Sequence, residues 1–444
     1  MSTAARSDHT PLLTPPWTLG VPRTVSEIEA IQRDRKRIAV ERAKRSPLLA
    51  ARLQGIDPAN LDETWSRIPL LTKDELRTLP TERFYSEFCI APIAGAAELW
   101  RSGGSTGKPL FYPRSADDLS TMLGVSFRRI WPCIGGAAGD VLHTAFPLGI
   151  HPVGQLTPRS AQLEGIATVW AGAGTTTPSP LQIELIGELK PTIFAAMPSY
   201  ALHLANLAEA QGIDLARSSV KKVLVSAEPL TTAKREKIER AWGAKVYNSF
   251  GMTEGGMAAV ERDGVDGMVA WSDLYFLEVV DPSSGEPVAE GAQGALVMTP
   301  LWANTITPFL RWLTGDIVTL KRQPRTADPF SVFPVLHHAL RTEGFFKVRG
   351  ININHGDLED FMFAQPAVID FRAEAVTSAG LDTLRLLVEI RGDTNADATL
   401  SGLATAIKSR YELTPAIEAI PIGTLAREFE QAVKAPRFAD RRNA

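Results

Sequence analysis

Arg101-Ser-Gly-Gly-Ser-Thr-Gly-Lys-Pro109 is the stretch on which the reading of this chain turns. Gly103, Gly104 and Gly107 open backbone angles closed to other residues, so that successive N–H groups can converge on one point. The hydroxyls of Ser102, Ser105 and Thr106 and the Lys108 ammonium add donors, and the set is suited to surround a polyphosphate. It is not the GxxxxGK[ST] loop, which needs glycine where Ser102 stands and Ser or Thr where Pro109 stands. A Gly-Ser run taken alone is an ordinary surface turn, so its meaning depends on what surrounds it.

Downstream, over 141–250, short apolar runs alternate with helical stretches. Ile193-Phe-Ala-Ala196, Val223-Leu-Val225 and Lys245-Val-Tyr247 read as strands, and 200–211 and 231–242 as helices. Such alternation predicts βαβ units and a parallel sheet, whose ligands gather beyond the carboxyl ends of the strands. Two of those exits carry Ser226-Ala-Glu-Pro229 and Asn248-Ser-Phe-Gly-Met-Thr-Glu-Gly255. Over 274–320 the texture changes to strand-turn-strand, with a turn at Asp281-Pro-Ser-Ser-Gly-Glu-Pro287 and a strand at Gly294-Ala-Leu-Val-Met-Thr299, which predicts an antiparallel subdomain. It ends at Arg311-Trp-Leu-Thr-Gly-Asp316, where a carboxylate is expected beside a glycine, after a compact turn. Beyond Arg341, Lys347-Val-Arg-Gly-Ile-Asn352, two strands and a helix near 400–411 predict a small α+β domain. Upstream, Ser26 with Glu29 and Thr72 with Glu75 have the spacing of capping boxes, the first leading a helix to about residue 44.

The fold class expected is therefore α/β: a large N-terminal domain over 1–342, with βαβ sheets and an antiparallel subdomain, and a small mobile C-terminal α+β domain over 343–444. At 444 residues, 44% hydrophobic and 22% charged, the chain is long enough for a large core. A net charge of −3 with interspersed signs leaves no electrostatic footprint for nucleic acid or an anionic membrane, and points to small-molecule partners. Cys89 and Cys133 have neither disulfide-framework nor zinc spacing. Without a signal-like N-terminus or a run of about 18 apolar residues, a cytoplasmic protein is expected.

In order along the chain, Ser102-Gly-Gly-Ser-Thr-Gly-Lys108, Ser226-Ala-Glu-Pro229, Phe250-Gly-Met-Thr-Glu254, Thr314-Gly-Asp316, Arg341 with Lys347-Val-Arg-Gly350, and Lys434 resemble the core motifs of the adenylate-forming superfamily. Acyl-CoA synthetases, firefly luciferase and peptide-synthetase adenylation domains belong to it. Pro69-Leu-Leu-Thr-Lys-Asp-Glu-Leu-Arg77, Met197-Pro-Ser-Tyr200 and Lys434-Ala-Pro-Arg-Phe-Ala-Asp-Arg441 bring the likeness closest to the phenylacetate-CoA ligase branch.

The resemblance implies that an acid is activated by ATP as acyl-AMP, with Mg²⁺ present, and then transferred to coenzyme A. It implies Lys434, Glu254 and Thr253 as catalytic residues, with Glu254 holding the metal. The loop Ser102, Gly103, Gly104, Ser105, Thr106, Gly107 and Lys108 would cradle the β- and γ-phosphates. Ala227, Glu228 and Pro229 would lie along the adenine, near Phe250 and Gly251, and Asp316 would bind the ribose hydroxyls with Arg341 in support. Phe146, Gly149, Ser199, Tyr200 and Ser226 would line the acid pocket, and Glu343 would be the hinge about which the small domain turns. Val433 stands where the family usually has glycine, and His355 where proline is common. The acid expected is aromatic or otherwise hydrophobic. An amine or a carrier-protein thiol remains the alternative acceptor and a non-catalytic nucleotide-binding homologue the lower-ranked reading; a homodimer is left open, since the sequence does not fix the oligomeric state. A dinucleotide fold ranks lower still, because Gly172-Ala-Gly174 is followed by Thr177 where GxGxxG needs glycine.

Overall fold

The computed structural model describes residues 19–102, 109–341, 345–378, 381–430 and 437–442. The strands, in chain order, begin with the antiparallel pair Glu98–Arg101 (β1) and Phe111–Arg114 (β2), which flank the Gly-Ser run in sequence. The large sheet is built from Val141–Thr144 (β3), Ala167–Trp170 (β4), Ile193–Ala196 (β5), Lys222–Val225 (β6), Lys245–Met252 (β7), Gly256–Glu261 (β8), Met268–Ala270 (β9), Tyr275–Val280 (β10), Gln293–Pro300 (β11), Trp312–Lys321 (β12) and Val335–Arg341 (β13). The C-terminal part adds the hairpin Phe345–Val348 (β14) and Ile351–Asn354 (β15), then Val368–Ser378 (β16), Leu381–Ile390 (β17), Ala416–Ile420 (β18) and Phe438–Asp440 (β19).

The βαβ alternation gives parallel pairing in the order β4-β3-β5-β6-β7, with helices Pro152–Leu163, Ser179–Leu189, Pro198–Ala210 and Thr232–Trp242 as crossovers. Every residue of β5 is buried, as expected of a strand covered on both faces. The expected antiparallel subdomain is not a separate sheet. At β7 the pairing changes hand to antiparallel and runs on through β8, β9, β13, β12, β11 and β10, giving one sheet of eleven strands. The sheet is continuous because β7 pairs with β6 on one edge and, through its carboxyl-terminal half, with β8 on the other.

Two local readings are corrected. The first helix, Val25–Ala43, is capped by Thr24, whose hydroxyl accepts from the Glu27 amide, and Ser26 lies inside it. Asp316 lies within strand β12 rather than just after a compact turn, because Trp312 and Leu313 already pair with β11 and Asp316 pairs with β13. The box at Thr72 and Glu75 forms as expected, with both reciprocal hydrogen bonds. The small unit is the four-stranded sheet β18-β17-β16-β19 with helices His355–Phe363 and Ala396–Tyr411. It docks on the helix Thr232–Trp242 through Lys234 and Glu359, 2.6 Å apart and both buried, and through the Ala233 amide and Asp360. No described helix is long and apolar enough to cross a membrane.

Candidate active site

The carboxyl ends of β6 and β7, where parallel pairing gives way to antiparallel, open into a cleft of about 230 Å³. Ala227, Glu228 and Pro229 line one side, Phe250 and Gly251 the floor of β7, and Asp316, His337 and His338 the side of β12 and β13. Ala227 leaves β6 in the left-handed region, at φ 70°, a conformation that a side chain tolerates only when its surroundings enforce it. The Glu228 carboxylate accepts from the Ser199 amide at 3.0 Å and its hydroxyl at 2.8 Å, at the start of helix Pro198–Ala210. Ser226 is buried and gives its hydroxyl to the Ser249 carbonyl, tying β6 to β7.

Asp316 is 1% exposed and its Oδ1 lies 3.0 Å from His338 Nε2. The His338 ring packs on Phe250 at 5.6 Å between centroids. Arg341 is the register partner of Asp316 across β12 and β13. Phe250, Asp316 and His338, from three different strands, therefore meet at one wall.

Thr253 and Glu254 occupy the connection between β7 and β8. Gly251 is required there, because a Cβ would stand 2.8 Å from the Gly256 carbonyl oxygen. Arg114, wholly buried, donates to the carbonyls of Thr253 and Glu254 at 2.7 Å each and to the Thr307 hydroxyl at 3.0 Å. The Glu254 carboxylate takes the Tyr112 hydroxyl on Oε1 at 3.1 Å, with the Lys73 ammonium 3.9 Å from the same oxygen. Burial, and next the Glu254 charge, push the Tyr112 phenol well above its ordinary pKa, so it remains a donor. Both contacts fall on Oε1, which leaves Oε2 as an acceptor. Among the described residues no cluster of three His, Cys, Asp or Glu side chains forms a metal site. A magnesium ion fits a lone carboxylate of this kind because it keeps water and takes phosphate oxygens as its other ligands. Ser102, at the described edge of the Gly-Ser run, is anchored by exchange with Leu110; Gly103, Gly104, Ser105, Thr106, Gly107 and Lys108 lie outside the described residues.

Of the expected acid-pocket residues, Phe146 is in the core at 1% exposure, and Gly149 turns the chain at φ 88°. Tyr200 is wholly buried, and its hydroxyl is 3.0 Å from Ser179 Oγ and 2.9 Å from Gln182 Nε2. His203 Nε2 lies 3.1 Å from Ser179 Oγ, and His143 Nε2 lies 3.0 Å from Gln182 Oε1. Glu430, from the small unit, enters the same network. Its carboxylate accepts from the Ser179 hydroxyl and from the Ser179 amide at 3.3 Å. The side chain of Arg341 and residues Glu343 and Lys434 lie outside the described residues.

Sequence reasoning did not assign Tyr112, Arg114, Lys73, His338, Ser179 or Glu430. Lys73 alone carried a signal, standing within the Pro69-to-Arg77 likeness. The others approach the site only through sheet pairing and domain packing, which leave no local pattern.

The AMP-binding enzyme family matches residues 99–300. The phenylacetate-coenzyme A ligase of Thermus thermophilus is 30% identical over 375 residues, 82% of this chain and 82% of that protein. The enzyme of the same name from Aromatoleum evansii is 29% identical over 378 residues, 83% of each. In three dimensions the chain resembles 2-hydroxyisobutyryl-CoA ligase crystallised in the postadenylation state with R3-HIB-AMP, at a TM-score of 0.81 and 22% identity, over 95% of this chain and 91% of that one.

Proposed function

Because this chain belongs to the AMP-binding enzymes, in the family of the phenylacetate-coenzyme A ligases, we propose that it activates an aromatic or otherwise hydrophobic carboxylic acid for transfer to coenzyme A. It is an adenylate-forming acyl-CoA ligase. In the first step a carboxylate oxygen attacks the α-phosphorus of ATP, and pyrophosphate leaves; in the second the coenzyme A sulfur attacks the acyl carbonyl, and AMP leaves.

The observation that supports this reading most is the meeting of the Ala227–Glu228–Pro229 turn, Phe250 and Asp316 around one cleft, with Glu254 on the connection that follows β7. Asp316 is an acceptor-only carboxylate suited to ribose hydroxyls, and His338 orients it. The flat wall of Ala227 and Phe250 suits the adenine. Glu254 would hold Mg²⁺, which when bound neutralises charge on the phosphates. Tyr112 and Lys73 fix the Glu254 carboxylate from one side. The Ser102–Lys108 loop and Lys434 are assigned to the phosphates and to the charge that builds as the acid attacks. Glu343 is assigned as the hinge, between units bounded at 342 and 343, and a cytoplasmic setting suits an enzyme that consumes ATP and coenzyme A.

The test is release of AMP and pyrophosphate with a panel of phenylacetate, benzoate and short aliphatic acids, each with and without coenzyme A. Acid-dependent pyrophosphate, with AMP and thioester in equal amounts only when coenzyme A is added, is expected. Adenylate that persists whether or not coenzyme A is present would move the acceptor to an amine or carrier-protein thiol, and silence across the panel would overturn the reading.

A further inference from the structure

The polar cluster behind Tyr200 is larger than a buried phenol requires. Ser179, Gln182 and Tyr200 are wholly buried and His203 is 4% exposed, yet the cluster ends on a carboxylate from the other unit of the molecule. Ser179 is its centre. Its hydroxyl touches Tyr200, His203 and Glu430, so the expected wall of the acid pocket and a residue of the small unit share one oxygen. Burial works against ionisation of Glu430, but the nearby His203 imidazole, 3.8 Å away, and the hydrogen bonds from Ser179 outweigh it and hold the carboxyl below its ordinary range. Glu430 therefore sits there as an anion, with donors already in place.

Its position along the chain gives the contact a use. Glu430 is the last residue of a short 3₁₀ helix, Ala426–Glu430, and the description resumes at Arg437. The Arg437 side chain is 8% exposed and pairs with Asp370 at 2.7 Å, with Glu359 3.9 Å away. Burial would lower its guanidinium pKa, but Asp370 and Glu359, with Glu228 of the nucleotide cleft, raise it. The two described ends flanking 431–436 are thus fixed, one on the acid-pocket wall and the other in the field of the cleft.

We propose that Glu430 is a positioning residue for acid activation: by docking on Ser179 beside Tyr200 it holds the small unit in the arrangement that serves the first half-reaction, and it must leave that seat for the second. This rests on the functional reading above. It also couples the two ends of the device, since an acid that moves Tyr200 moves the hydroxyl that holds Glu430.

The half-reactions separate the possibilities. Acid-dependent exchange of labelled pyrophosphate into ATP reports the first, using phenylacetate or whichever panel acid releases most pyrophosphate. Thioester formation from the corresponding supplied acyl-adenylate and coenzyme A reports the second. Glu430→Ala should slow the exchange by roughly tenfold or more, the scale of typical coupling between sites, and leave the thioester step at the wild-type rate or faster. Glu430→Gln keeps acceptor oxygen for Ser179 and should recover most of the exchange. Equal loss of both steps would make Glu430 a support of the fold, and no loss of either would make the contact idle; both overturn the proposal. Hydrogen exchange on the free enzyme needs no substrate and so stands apart from the functional reading. Amides over 177–183 should exchange faster in Glu430→Ala, and unchanged exchange there would overturn the proposal even if the panel were silent.

Discussion

Glu254 illustrates how a residue of ordinary type becomes a site. An acidic residue beside glycine is usually a loop cap, but Arg114 has taken both neighbouring carbonyls, and Tyr112 and Lys73 hold one carboxylate oxygen in place. Glu254→Gln keeps the oxygen that Tyr112 reaches and removes only the charge. Adenylation should fall by about 100-fold or more, with the melting temperature nearly unchanged; parallel loss of both would show a structural role instead. The Thr-Glu pair was legible in the sequence because the residue types carry the chemistry. Its supporting shell was not, because Arg114 and Tyr112 stand some 140 positions away along the chain.

His355 behaves differently. Its ring stacks on Phe438 at 4.2 Å and nearly parallel, and its Nε2 has no hydrogen-bond partner among the described residues. Burial lowers it to about 4 from an ordinary 6.5. The unfolded chain therefore takes up a proton near 6.5 and the folded one only near 4, so stability is complete above 6.5 and declines as pH falls between the two values. His355→Phe keeps the stack and removes the proton site. It should spare about 2 kcal/mol of the loss between neutral pH and pH 5, as read from urea midpoints at each pH. An identical slope in both proteins would contradict the assignment.

At the scale of elements, β7 decides the architecture, since it carries parallel pairing on one edge and antiparallel on the other. The strand and helix alternation was legible from apolar periodicity, and so was the change of texture after residue 274. Their union into one sheet was not, because strand pairing is a long-range choice that periodicity does not encode. Asp316 was misplaced for the same kind of reason: Thr-Gly-Asp has turn chemistry, and only the ladder with β13 makes it strand. Two glycines test the packing of helices Pro152–Leu163 and Ser179–Leu189. A Cβ at Gly154 would lie 1.9 Å from the Pro147 carbonyl oxygen, so Gly154→Ala should cost about 3 kcal/mol and disturb the 146–149 turn. Exposed Gly187, within helix Ser179–Leu189, has nothing within 4 Å. Gly187→Ala should add about 0.5–1 kcal/mol, and denaturation midpoints that moved in one direction for both variants would contradict this packing.

For the whole molecule, a large sheet holds the cleft at the carboxyl ends of β6 and β7, and a small unit packs against its helices. Contacts at Lys234 with Glu359 and at Ser179 with Glu430 join the two. That two units exist was legible from the texture beyond Arg341; how they touch was not, since interface residues such as Glu430 have no periodic or motif signature. Lys434 lies outside the described residues, and its assignment rests only on resemblance to a family motif. Lys434→Ala should lower adenylation by about 100-fold or more while ATP affinity stays near the wild-type value, as measured by calorimetry beside pyrophosphate exchange. Equal weakening of binding and rate would place Lys434 in ground-state binding instead. The most direct test of the central claim follows one atom. With the carboxylate of a turned-over acid labelled with heavy oxygen, attack on the α-phosphorus requires one labelled oxygen to appear in the AMP released on thioester formation. Label in AMP, read by mass spectrometry, is the expected result; label in inorganic phosphate, with ADP as the nucleotide product, would contradict adenylation as the chemistry of this site.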